Sequence, residues 1–145
     1  MTARFDSEAR RILDGVNYAQ LSTLMEDGAP KVDSVWILRE GDRVLVATDG
    51  KSIKAVNMRR DPRVAISVNA FENPYEQVSI RGKVVEVRPD DDLAVMDLMS
   101  LKYLGTEFPR RRWSERLAFV IEPDIARYYV SPLRDPRTTN KENLV

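Results

Sequence analysis

The stretch VATDGKSIKAVNMRRDPRVAISV, residues 46–68, decides how the rest of the chain is read. A run of strand formers ends in a tight turn at Asp49-Gly50, a short basic helix follows, and a second strand begins beyond Asp61-Pro62. Proline disfavours helical geometry in the residue before it, so the spacing predicts a helix over 51–60 that stops at Asp61. A turn opening directly into a helix gathers backbone N–H groups at the positive end of the helix dipole, and Lys51 and Lys54 fall in that same small volume. Such a place suits an anion. Between Lys51 and Arg63 five basic residues stand against one acid, Asp61, although the whole chain has formal net charge zero. Helical spacing sets Ile53, Val56 and Asn57 on one side and leaves Lys51, Lys54 and Arg59 to point elsewhere.

Working outward, the N-terminal FDSEARRIL carries Phe5, Ala9, Ile12 and Leu13 at helical spacing before Gly15, an amphipathic helix. Residues 18–25 alternate as a strand and turn at Glu26-Asp27-Gly28 into a second strand over 31–39. A turn at Glu40-Gly41-Asp42 leads to a third at 43–48, which makes a three-stranded antiparallel meander. The fourth strand, 63–69, follows the basic helix, and a loop at Phe71-Glu72-Asn73-Pro74 precedes a long strand over 76–87. Gly82 within that strand predicts a bulge or bend of the kind a barrel corner requires. Residues 90–105 form a helix with a wide apolar face (Leu93, Met96, Leu98, Met99, Leu101, Leu104). Its methionines either pack on the barrel or offer an adaptable surface. Asp90-Asp91-Asp92 reads as the solvated start of that helix, where the dipole favours negative charge. Pro109-Arg110-Arg111-Arg112-Trp113 reads as a loop with one anchoring Trp, or as a second anion contact. A last strand, broken near Pro123, closes the sheet. The expected fold is mainly β, a six-stranded antiparallel barrel with peripheral helices. Residues 1–131 make a single domain, and 132–145 a polar tail expected to fray.

Composition narrows the chemistry. The chain has 145 residues, 43% hydrophobic and 32% charged, enough for one core in an ordinary soluble domain. No apolar run approaches the ~20 residues of a membrane span, and the N-terminus lacks the apolar core of a secretory signal. With no membrane span expected and no cysteines, the cytoplasm is the expected location. The absence of both His and Cys excludes the usual zinc site, a haem with axial histidine, a Ser-His-Asp triad and a thiolate nucleophile. No metal site is expected.

The run Thr48-Asp49-Gly50-Lys51-Ser52-Ile53-Lys54-Ala55-Val56-Asn57, with Arg60-Asp61-Pro62-Arg63-Val64 after it, resembles the phosphate-binding segment of the pyridoxamine 5′-phosphate oxidase-like split β-barrel proteins. The likeness extends over nearly the whole chain, since strand order, helix insertion and the Glu76-Gln77-Val78 strand start fall where that family has them. It implies a homodimer that binds FMN, or the deazaflavin coenzyme F-420, in a cleft between subunits. Carried over residue by residue, it implies a cofactor site of Lys51, Ser52, Lys54, Asn57, Arg60, Ser34, Trp36 and Gln77. Lys54 corresponds to the phosphate-contacting lysine, and Gln77 to a glutamine near the ring or phosphate edge. Where the vitamin oxidases carry arginines, this chain has Ile53 and Asp33, while 32–36 (VDSVW) looks more like the deazaflavin-dependent branch. The implied activity is therefore hydride transfer from coenzyme F-420 to an unsaturated small molecule.

A flavin-like coenzyme brings the hydride chemistry with it, so such a site needs no His or Cys. Arg59 and Arg60 either meet the carboxylates of an oligoglutamate tail or are surface charges. Trp36 packs either on the ring or in the core, and Ser34 and Gln77 either bond the ring's carbonyl edge or satisfy neighbouring strands. The alternatives are an FMN oxidoreductase of the same fold, a non-catalytic coenzyme carrier, and a nucleic-acid-binding barrel, against which the neutral net charge counts.

Overall fold

The computed structural model describes residues 2–111 and 115–135. In chain order they form α1 (Ser7–Asp14), β1 (Ala19–Leu24), β2 (Pro30–Val35), β3 (Leu38–Glu40), β4 (Arg43–Asp49), α2 (Ile53–Arg60), β5 (Arg63–Asn69), β6 (Glu76–Pro89), α3 (Ala94–Leu104) and β7 (Arg116–Val130), then a 3₁₀ turn at Pro132–Arg134. The proposed Trp113 anchor and the tail from 136 lie outside the described residues.

All strands pair antiparallel in one sheet, in the order β2-β1-β5-β6-β7-β4-β3. The described residues hold seven strands rather than six because the run at 31–39 is interrupted at Trp36-Ile37. The meander is corrected at the same point. β1-β2 and β3-β4 are hairpins, but β2 and β3 are the two opposite edges of the sheet. Only Trp36 and Ile37 separate those edges along the chain, and three Cα steps reach at most roughly 11 Å. The sheet must therefore curl until its edges meet, closing as a split barrel through the backbone of a corner.

The long pair β6-β7 carries the curl, with register shifts at Arg81/Gly82 and Val84/Glu86. A Cβ on Gly82 would lie 2.3 Å from the carbonyl oxygen of Glu122, so the strands approach there as only glycine permits. Pro123 faces Gly82 in the register and is accommodated by this irregularity, so β7 runs unbroken where an interruption was expected.

The main core fills the barrel with Phe119, Ile121, Leu21, Val46, Ile66 and Ile80, and α1 covers it with Ala9, Ile12 and Leu13. Asp6 caps α1 by accepting from Ala9 N at 2.8 Å. A second cluster on the other face of the sheet joins Leu45, Val120 and Met99 beneath α3. With both faces covered, residues 116–121 of β7 are all buried instead of alternating. Glu76, also buried, is held by hydrogen bonds from Tyr128 Oη (2.7 Å), from Asn73 Nδ2 (3.3 Å) and from the Arg11 guanidinium.

α2 departs from its expected orientation. It buries Ala55, Asn57 and Met58, while Ile53 and Val56 are 53% and 48% exposed. Small Ala55 and unbranched Met58 fit against the barrel, whereas Asn57 enters as a polar tie, donating to Thr23 Oγ1 at 3.1 Å. The helix ends at Arg60 with Asp61 as its C-cap, as the following proline dictates. Among the described residues no helix is long and apolar enough to cross a membrane.

Candidate functional site

The turn between β4 and α2 is fixed by short-range bonds that its own residues supply. Asp49 Oδ1 accepts from Lys51 N at 2.7 Å, and Asp49 O accepts from Ser52 N at 3.1 Å. Ser52 is the N-cap of α2, its hydroxyl accepting from Ala55 N at 3.2 Å and lying 3.0 Å from Thr48 Oγ1. Gly50 N reaches Glu115 O at 3.2 Å, and a Cβ on Gly50 would meet the Glu115 carboxylate at 2.8 Å. The turn is thus pressed against the lead into β7.

Beside this turn opens a cleft of about 690 Å³. Part of its lining is polar or cationic, from Thr48, Asp49, Ser52 and Lys54 together with Arg116 of β7. Another part is apolar and aromatic, from Tyr18, Trp36 and Phe108 with Met96 and Met99 of α3. The methionines thus serve both readings at once, since Met99 also packs in the cluster beneath α3.

The aromatic lining is pre-ordered. Trp36 stacks on Tyr103 (centroids 5.2 Å apart, planes within 5°), Tyr103 on Tyr18 (5.9 Å, 18°), and Phe108 meets Trp36 edge-on at 6.1 Å. Tyr103 Oη accepts from Ile37 N (3.2 Å) and donates to Asn17 O (2.7 Å). Its neighbour Lys102 donates to Ile37 O (3.0 Å) and to Leu13 O (2.7 Å). Two consecutive residues of α3 therefore grip both polar groups of Ile37, the corner residue next to Trp36. Burial pulls the Lys102 ammonium down to about 8, against the pull of Asp14, and raises the Tyr103 phenol.

Of the residues nominated from sequence, Ser34, Trp36, Ser52 and Lys54 line the cleft. Ser34 Oγ also accepts from Gln20 Nε2 at 2.9 Å. Lys51 is exposed in the adjoining turn. Asn57 and Arg60 are turned away from the cleft: Asn57 is buried against Thr23, and Arg60 Nη2 donates to Leu24 O (2.6 Å) and Asn57 Oδ1 (2.8 Å). Gln77 stands on β6 between Asn69 and Tyr129, away from this chain's cleft. Arg59 pairs with Glu115 at 2.7 Å, a surface ion pair.

Sequence reading missed Tyr18, Phe108 and above all Arg116. The available signal was a lone cation directly before the apolar run LAFVI, where a strand with both faces covered has no ordinary use for charge. Arg116 is 4% exposed, with Nη2 3.0 Å from Met96 Sδ and its guanidinium 6.0 Å from the Phe108 ring centroid. Burial holds it below the ordinary arginine range, while Asp90 and Asp49 oppose that shift.

Among the described residues no group of three or more His, Cys, Asp or Glu is arranged to hold a metal. Asp90, read as solvated, is 1% exposed, and its carboxylate accepts from Val95 N (2.8 Å) and Met96 N (3.0 Å) at the start of α3.

The pyridoxamine 5′-phosphate oxidase family matches residues 5–129, and the chain belongs to that family. Among solved structures it is similar to an F420 reductase, at 26% identity and a TM-score of 0.73, over 81% of this chain and 94% of that one. A conserved hypothetical protein from Mycobacterium tuberculosis shares the fold at 22% identity and TM-score 0.72, covering 89% and 86%. So does a pyridoxamine 5′-phosphate oxidase-related, FMN-binding protein from Nostoc punctiforme, at 16% and 0.60, covering 83% and 76%. No curated protein matches the chain.

Proposed function

We propose that the cleft binds a flavin-type coenzyme, coenzyme F-420 in preference to FMN, and that the protein is an oxidoreductase passing a hydride to an unsaturated small molecule. The observation that carries this reading is the mixed lining of the cleft. Aromatic rings ordered by the Tyr18-Tyr103-Trp36 stack and the hydroxyl and ammonium groups at the start of α2 share one volume of about 690 Å³. A planar ring with an anionic tail suits both kinds of lining, and the donor set fits it. Family membership and the similarity to an F420 reductase support the choice of class.

A bound flavin or deazaflavin supplies the hydride chemistry itself. The chain's own work is to bind, orient and exclude water. Ser52 and Lys54 hold the phosphate at the positive end of α2. Trp36 and Phe108 present an apolar surface to the ring, and Met96 and Met99 close the floor and keep water from the reacting face. In a homodimer the exposed Ser34, with Gln77 of the second copy, completes the ring's polar edge.

Fluorescence titration with coenzyme F-420 and with FMN tests the reading. Binding of F-420 is expected, with Lys51→Ala/Lys54→Ala weakening it about 10-fold or more, the worth of a charge-assisted contact. Tight FMN binding without F-420 binding would move the assignment to an FMN protein. Undiminished affinity in the double variant would remove the phosphate site.

A further inference from the structure

We propose that Asp97 is a positioning residue of the cleft: with Arg111 it holds both backbone polar groups of Phe108, and through Phe108 it sets the affinity of the cleft for the planar ring of its ligand. The inference rests on the flavin-type reading above and names a residue, outside the cleft lining, on which ring recognition depends.

Phe108 lines the cleft from a segment that is neither helix nor strand. α3 ends at Leu104 with Gly105 in the left-handed region (φ 75°), and residues 106–111 follow outside any regular element. The ladder bonds of helix and sheet therefore do not place Phe108. Asp97, one turn into α3, takes part in doing so: its Oδ1 accepts from Phe108 N at 3.1 Å. The same carboxylate takes the Arg111 guanidinium in a fork, Nη1 on Oδ1 at 2.5 Å and Nη2 on Oδ2 at 3.1 Å. Arg111 Nη1 in turn donates to Phe108 O at 3.1 Å. One ion pair thus grips the N–H and the carbonyl of a single cleft residue.

The frame for this grip is the helix that lines the cleft itself. Met96 and Met99 stand on either side of Asp97 along α3 and both line the cleft, so Phe108 is fixed relative to them and edge-on to Trp36 at 6.1 Å. An aromatic contact depends on ring position, and a backbone tie at Phe108 fixes where its ring starts. The Arg111 guanidinium holds the Asp97 carboxyl below the ordinary range, so the pair stays charged at neutral pH. An acid in the first turn of α3 also suits the helix dipole, but that role requires nothing of Phe108.

The test is a double-mutant cycle on the full chain, Asp97→Ala and Phe108→Ala singly and together, titrated with coenzyme F-420 and with FMN. Each single variant is expected to weaken whichever coenzyme wild type binds by about 3- to 10-fold, the worth of one aromatic contact. Because Asp97 acts through Phe108, the double variant should lose no more than F108A alone. Asp97→Asn, which keeps an oxygen for Phe108 N, should retain part of the affinity. A second readout needs no ligand: with Trp113→Phe in the background Trp36 is the only tryptophan, and D97A should change its near-ultraviolet circular dichroism in the same direction as F108A does. Additive losses in the double variant, or an unchanged affinity and Trp36 signal in D97A, would overturn the inference while the coenzyme reading stands. If wild type binds neither coenzyme, that reading falls and this inference with it. If D97A does not fold, Arg111→Met takes its place in the cycle: a loss of about 2-fold or more that vanishes in the F108A background upholds the inference, and an unchanged affinity overturns it.

Discussion

Glycine at position 82 shows how a single missing carbon shapes the barrel. The antiparallel partner's carbonyl oxygen occupies the space a side chain would enter, and the nearest atoms, Glu122 O and C and Pro123 Cα, are all backbone. Gly82→Ala therefore has no flexible side chain to push aside and must separate β6 from β7 at their tightest point. An overpacking cost of about 1–3 kcal/mol is expected, read as a lower urea midpoint. An unchanged midpoint would mean that the bend absorbs a methyl group. At this same scale the turn residues explain themselves: Ser52 caps, Asp49 ties its own turn, and Pro62 stops α2, each through partners a few residues away.

Among the elements, α3 does more than cover the sheet. Through Lys102 and Tyr103 it clamps Ile37, and through the face of Tyr103 it sets the plane of Trp36. Lys102 performs this while desolvated, with its ammonium at about 8 against an ordinary 10.5. A depressed pKa means that between those values the unfolded chain binds the proton that the folded chain has released. Stability from this group therefore rises with pH across roughly 8 to 10.5 and is lost as pH falls back through 8. Comparing wild type with Lys102→Met by denaturant unfolding at pH 7.5 and pH 10 should show the difference shifting in favour of wild type at the higher pH. A difference independent of pH would place the lysine in water. The clamp also accounts for a misreading: residues 31–39 have the composition of one strand, but gripping both polar groups of Ile37 removes that residue from any ladder and makes a corner.

For the whole molecule, the proposed homodimer follows from where the unabsorbed residues lie. Gln77 is not among the residues that line this chain's cleft, and Ile53 and Val56 on α2 are apolar and half exposed. Sedimentation equilibrium is expected to give twice the chain mass of 16.6 kDa, with coenzyme tightening the association. A monomer with full coenzyme affinity would show that one chain suffices. The barrel class was legible because alternation, turn residues and a helix stop recur along the chain. Four of the eight nominated residues line one cleft because Ser52 and Lys54 belong to one turn, and Ser34 and Trp36 to one strand end.

By itself, the amino-acid order determined what depends on neighbours within a few residues: the capped, dipole-positive turn at 49–54, the end of α2 before Pro62, and the lack of any thiolate or imidazole chemistry. Tertiary structure alone decided which face α2 buries, that β2 and β3 are the two meeting edges of one sheet, and that Arg116 stands across from the Asp49 turn. Those outcomes rest on pairing between segments far apart in the chain, where register is set by the packing of both faces at once, and no local pattern records which distant strand will be the partner.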